Sequence, residues 1–105
     1  MASPQLENGH TRIAHEILEA IAKSNLSGVQ LRTLIWILRL TYGFQRVEMV
    51  TNVNAFSTKL KTTSKYIKEV FIDLERFSVI TVEWATPEVC KIRFNKDFQK
   101  WKCFS

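Results

Sequence analysis

A mainly helical α+β fold, three to four helices followed by a C-terminal β-hairpin, is what this chain of 105 residues predicts, on three observations. Residues 54–77 read as a short helix, a brief turn and a second, amphipathic helix. Two alternating runs follow at 79–84 and 89–94, with the period of two of half-buried strands. Upstream, two further stretches carry apolar residues at helical spacing. Helix, turn, helix and hairpin in this order is the winged variant of the helix-turn-helix, whose second helix is shaped to lie in a DNA major groove.

Residues 1–10 are polar and turn-rich and are expected to form an extended arm. Thr11 is placed to cap a first helix running to about residue 23, with Ile13, Ala14, Ile17, Leu18 and Ile21 as its apolar face. Ser27 and Gln30 match a capping box, in which the Ser oxygen accepts from a first-turn N–H and the Gln reaches back. The helix they open carries Leu31, Leu34, Ile35 and Leu38 on one side. Trp36, Ile37 and Leu40 widen that side, which predicts the central, most buried helix. Tyr42-Gly43 is expected to end it, with Gly43 available for a left-handed C-cap.

Residues 44–53 are the least patterned, and 47–50 are expected to add a short strand beside the hairpin. Asn54 can cap a short third helix over 55–60, and Thr63 a fourth over 64–77. In the fourth, Ile67, Val70, Phe71 and Leu74 point inward; Ser64, Lys65, Lys68 and Glu69 lie toward the other side. In the hairpin Ile80, Val82 and Trp84 share one face, and Cys90, Ile92 and Phe94 share another. Residues 85–88 form the wing. The tail, 95–105, mixes Lys96, Lys100 and Lys102 with Phe98, Trp101 and Phe104, and is expected to be a short closing helix or an ordered arm of the same single domain, 1–105.

The bulk properties fit a folded chain: 46% hydrophobic and 24% charged residues, with only 3 Gly and 2 Pro. A net charge of +5 and a pI of about 9.5 favour an anionic partner, nucleic acid first. Neither Cys90 nor Cys103 sits in a metal-ligand pattern; the first is expected to be a buried apolar residue and the second a free thiol, in keeping with a reducing cytoplasm. The N-terminus lacks the basic start and apolar run of a signal peptide, and the longest apolar run, 34–38, is too short to span a bilayer. His10 and His15 are the only histidines, and no zinc-protease, nucleophile-elbow or phosphate-loop motif occurs. No enzyme activity, metal or cofactor is expected, and no membrane partner.

The chemistry concentrates around the fourth helix. Lys59, Lys61, Lys65 and Lys68 fall within ten residues that contain no acid. Lysines in the first turns oppose the helix macrodipole, at a local cost of ~0.3–1 kcal/mol each. That points to a task outside the fold, against the plain alternative of a solvated helix face. Thr63, Ser64 and Tyr66 could reach bases or phosphates, although Tyr66 fits the core edge equally well. Glu69 could accept from a cytosine amine. Arg46, Lys91 and Arg93 are placed for flanking phosphate contacts. The wing has no Lys or Arg, so weak or no wing contact with DNA is expected.

Four blocks resemble a known family: residues 4–14, Leu26-Ser27-Gly28, Thr41-Tyr42-Gly43-Phe44, and 95–101. Together they are similar to the N-terminal domain of bacteriophage replication protein O. The resemblance implies a winged-helix domain that binds repeated sites in a phage origin, commonly as a homodimer, inside the host cytoplasm at the nucleoid. A separate C-terminal region of such proteins engages host replication proteins. This chain stops soon after 95–101, which implies an excised origin-binding domain or a short protein that kept only the DNA-binding part. Two departures stand out. The family's turn carries a Thr-Gly-Leu type sequence where this chain has Leu60-Lys61-Thr62, so Lys61 must take the turn conformation at some cost. Where the family usually carries arginines, this chain has Ser64, Lys65, Lys68 and Glu69, and lysine lacks the bidentate fork. The first expectation is therefore recognition of double-stranded origin DNA. A protein-binding module aimed at a host or defence factor, and a transcriptional repressor, are the alternatives. The aromatic tail and the Trp36 region are candidate dimer surfaces and equally candidate core.

Overall fold

Ser27 opens the helix on which the rest of the molecule is assembled. Its hydroxyl oxygen accepts from the Gln30 N–H at 3.3 Å, and Gln30 Oε1 accepts from the Ser27 N–H at 2.9 Å. This is the reciprocal cap that the sequence predicts. The structure, a computed structural model, describes residues 2–104. The helix, α2 (Gly28–Leu40), buries Thr33, Leu34, Ile37 and Leu38. Ile35 is a correction: it is 60% exposed, because at about 100° per residue it falls outside the arc those four share.

α1 (His15–Lys23) begins later than expected, and Thr11 does not cap it. Thr11 instead lies against the turn after α2, where a Cβ on Gly43 would come within 3.1 Å of its hydroxyl oxygen. Ile17 and Ala20 are covered, while Ala14, now the N-cap, and Leu18, outside the arc they share, are exposed. The arm before α1 is not extended throughout. Leu6–Asn8 form a 3-10 turn, and Gly9, at φ 109, redirects the chain after it.

α2 ends at Leu40, and a 3-10 turn follows at Tyr42–Phe44. The left-handed residue is Gln45 (φ 57, ψ 39), not Gly43 as the sequence suggested. Gly43 leaves room for its neighbours instead, since a Cβ there would also come within 3.0 Å of an Arg39 guanidinium nitrogen.

The expected extra strand exists: β1 (Glu48–Asn52) runs directly into α3 (Val53–Leu60). The cap of α3 is therefore Asn52, whose Oδ1 accepts from the Asn54 N–H at 2.7 Å. Asn54 lies inside the first turn. α4 (Ser64–Arg76) starts where predicted, with the Thr63 hydroxyl accepting from the Tyr66 N–H at 3.1 Å. Ile67, Val70, Phe71 and Leu74 are all buried.

β2 (Ile80–Trp84) and β3 (Val89–Phe94) form the hairpin, and the strand order is β1-β3-β2, antiparallel throughout. The register sets Ile80 opposite Phe94, Val82 opposite Ile92 and Trp84 opposite Cys90. Directly paired residues project from the same side of a sheet. The two alternating sets thus make one inner face, joined by Met49 opposite Ile92. Phe56 and Phe71 meet edge to face at 5.0 Å in the core under that sheet.

The tail is built into the core. After a 3-10 turn at Phe98–Lys100, Trp101 and Cys103 are buried. Trp101 Nε1 donates to the Asn95 carbonyl at 2.8 Å, and its ring packs on Phe94 at 5.8 Å. The Lys102 N–H donates to the Phe77 carbonyl, and the Asn25 N–H to that of Cys103. Four helices with a small antiparallel sheet in this order make a winged helix-turn-helix.

Candidate nucleic-acid interface

The turn from α3 to α4 positions the first lysines. Lys61 adopts a left-handed conformation (φ 55, ψ 48) and caps α3, as the absence of a glycine required. Arg32 of α2 pins this turn by donating to the Leu60 carbonyl at 2.7 Å. Lys59 and Lys61 project from it, exposed, and Lys65 is exposed on the first turn of α4. Lys68 leans toward the wing, where its Nζ sits 5.1 Å from the centroid of the Trp84 ring. None of the four lysines has a carboxylate partner among the described residues.

The acids of α4 are mostly engaged elsewhere. Asp73 pairs with Arg76 at 3.3 Å and accepts from Gln30, and Glu75 Oε2 accepts from the Val82 N–H at 2.8 Å. Glu69 remains exposed and without an ion pair among the described residues. The leading half of α4 is therefore electropositive, and its acidic half is tied to α2 and β2. The helix N-terminus adds its own partial positive charge.

Ser64 is placed differently from expectation. Its hydroxyl donates to Asn54 Oδ1 and lies 3.1 Å from Ser57 Oγ, so it clasps α4 to α3 rather than facing a groove. Thr63 is exposed, with its hydroxyl oxygen accepting at the cap. Tyr66 is 47% exposed on the flank of α4, beside the crest formed by Lys65, Glu69 and Ile72.

Three of the expected flanking bases do not join this cluster. Lys91 is paired with Glu83 at 3.4 Å and Arg93 with Glu48 at 3.5 Å, both on the outer face of the sheet. Arg46 precedes β1, at the end of the sheet where Phe94 donates its N–H to Val47. The wing lies at the other end, next to the Asn52–Val89 pair. About six residues of extended chain, ~20 Å, separate Arg46 from that end.

Two residues that sequence reasoning left out belong to the α4 face. Ile72 is 52% exposed, one turn after Lys68, and shares a shallow groove with Lys68, Trp84 and Pro87. Its position outside the arc of Ile67, Val70, Phe71 and Leu74 was the available signal. Trp84, expected on the inner face, is 38% exposed at the end of β2, where it meets Lys68 of α4.

Both thiols are free and buried. Burial pushes the Cys90 thiol up to about 11 and raises that of Cys103. Among the described residues no group of three or more His, Cys, Asp or Glu could hold a metal ion, and no helix is long and apolar enough to cross a membrane.

No curated protein and no solved structure matches the chain. The protein family described as bacteriophage replication protein O matches residues 3–101. With nearly the whole chain covered, and with a winged helix-turn-helix fold, the protein belongs to the bacteriophage replication protein O family, as its N-terminal domain.

Proposed function

We propose that this domain recognises double-stranded DNA at a phage replication origin, with the α3–α4 turn and the first two turns of α4 as its reading surface. Family membership supports a DNA-binding role in phage replication. One observation carries the choice of face: among the described residues Lys59, Lys61, Lys65 and Lys68 have no acidic partners, while the acids behind them, Asp73 and Glu75, are bonded away. Lys65 and Lys68 contact phosphates or base edges. Glu69 accepts from a cytosine amine, and Ile72 offers an apolar contact for a thymine methyl.

Salt titration tests the reading. Four neutralised phosphates give a slope of log affinity on log salt near −3.6, at ~0.9 per phosphate. The Lys65→Ala/Lys68→Ala variant is expected to bind origin duplex at least tenfold more weakly, with the slope reduced by about two. Parent-like affinity in that variant removes α4 as the DNA face. Selection from random duplexes then checks whether a preferred sequence exists, and whether it lies in an origin or at promoters, as a repressor would require.

A second reading, a module that binds a host or defence protein, draws on the apolar groove of Ile72, Trp84 and Pro87 on the same helix face as the exposed Glu69. Stable co-purification of a host protein together with salt-insensitive, negligible DNA binding would select it.

A further inference from the structure

The turn after α2 carries a basic cluster that the α4 face does not use. The guanidinium carbons of Arg39 and Arg46 lie 5.1 and 5.2 Å from the centroid of the Phe44 ring, which is 55% exposed. The arrangement is built by the backbone. Arg39 reaches the ring by lying across Gly43, where a Cβ would come within 3.0 Å of a guanidinium nitrogen and 3.5 Å of Cδ. Left-handed Gln45 then turns the chain back, and the Arg46 N–H donates to the Thr41 carbonyl at 3.0 Å. Thr41 is itself buried, its hydroxyl donating to the Ile37 carbonyl at 2.8 Å. Arg12 lines the adjoining groove with Tyr42, Gln45 and Arg46. A neighbouring groove, which Arg12 and Tyr42 also line, adds His10 and a single carboxylate, Glu7. None of the three arginines forms an ion pair among the described residues.

We propose that Arg39 and Arg46 around Phe44, with Arg12 in the adjoining groove, form a second DNA-backbone site, which holds a further stretch of DNA while α4 is seated on the first. Both guanidiniums lie at cation–π distance from the ring on exposed arginines, and a guanidinium can grip a phosphate with two parallel hydrogen bonds. The Arg39 and Arg46 carbons can be no farther apart than the sum of their distances to the ring. Within that bound the two can meet phosphates of one strand. The cluster sits at the end of the sheet away from the wing, so one duplex on α4 leaves it open. An acidic protein segment would meet the same charges. DNA is favoured because a duplex held on α4 carries its own continuation at high effective concentration. To that extent the inference rests on the α4 reading.

A bridging assay with the whole chain tests it: one duplex is fixed on beads and a second, labelled duplex is offered in solution. The parent is expected to recruit the second duplex. Arg39→Gln/Arg46→Gln should keep its affinity for a single short duplex within about twofold and lose at least tenfold in recruitment, at an unchanged thermal midpoint. Gly43→Ala, which displaces Arg39, should weaken recruitment in the same direction. A labelled single strand offered in place of the second duplex, and recruited more tightly, would assign the same backbone site to unpaired DNA. A dimer joining two duplexes through two α4 faces would survive Arg39→Gln/Arg46→Gln, and that result overturns the proposal. So does a parent that recruits no second DNA, or one that captures polyglutamate in its place. Failure of the α4 reading looks different: single-duplex binding that is indifferent to Lys65→Ala/Lys68→Ala.

Discussion

Lys61 shows how one residue can carry a conformational cost and a charge together. Its left-handed backbone is one that glycine adopts freely and lysine does not. Lys61→Gly is expected to raise unfolding free energy by about 0.5–1 kcal/mol. The same change should reduce the DNA salt slope by about one. A variant that gains stability and keeps the full slope would place Lys61 off the DNA. Ser64→Ala should do the reverse. Losing the clasp to Asn54 costs about 1 kcal/mol in denaturant unfolding and leaves the salt slope unchanged. Cys90 supplies a pH dependence. Its thiol titrates near 11 in the fold and near ~8.5 in the unfolded chain, so the folded state keeps the proton longer. That contribution to stability is complete below the unfolded value and is lost as pH rises through the folded one. Urea unfolding at pH 8, 9.5 and 11 should therefore show falling stability, and a flat profile would contradict the burial of Cys90.

At the scale of elements, the helix-turn-helix was legible and its edges were less so. α4 and its Thr63 cap matched because cap, spacing and inward face all lie within one stretch of chain. Thr11 and Asn54 misled for a shared reason, since each is a good cap by type. Thr11 lies beside the turn after α2, and Asn54 is displaced by a strand that runs on into the helix. Whether a capping side chain caps depends on what else can reach it. The wing illustrates the same limit. Its lack of basic residues was plain, but the contact of Trp84 with Lys68 joins residues from separate elements. Trp84→Ala should release Lys68 and weaken DNA binding about two- to fivefold, a cation–π contact being worth ~0.5–1 kcal/mol at exposed sites. Trp84→Phe should restore most of it. Equal binding by all three forms would show that Lys68 needs no support from the wing.

At the scale of the molecule, the tail and the far end of the sheet change the picture most. Trp101 packs on Phe94 and bonds the Asn95 carbonyl, and with buried Cys103 it anchors the tail in the core. Trp101→Ala is expected to cost about 3–5 kcal/mol, a large share of the roughly 5–15 kcal/mol that hold a domain folded. Calorimetry should find a lowered midpoint, and an unchanged one would free the tail to serve as an interface. The same assembly sends the basic residues to three places. Lysines gather at the start of α4, Lys91 and Arg93 are neutralised across the sheet, and Arg46 joins Arg39 and Arg12 at the opposite end.

Local pattern alone determined the class of fold, the buried face of α4, the capping box of α2 and the lysine concentration at the start of α4. Each follows from residues a few positions apart, where spacing, capping chemistry and backbone sterics leave few choices. Only the tertiary structure decided which charges stay unpaired, because an ion pair such as Arg93–Glu48 joins residues 45 positions apart through strand register. It also turned Ser64 inward and set Arg46 apart from α4, since both depend on how strands and helices are laid against one another in three dimensions.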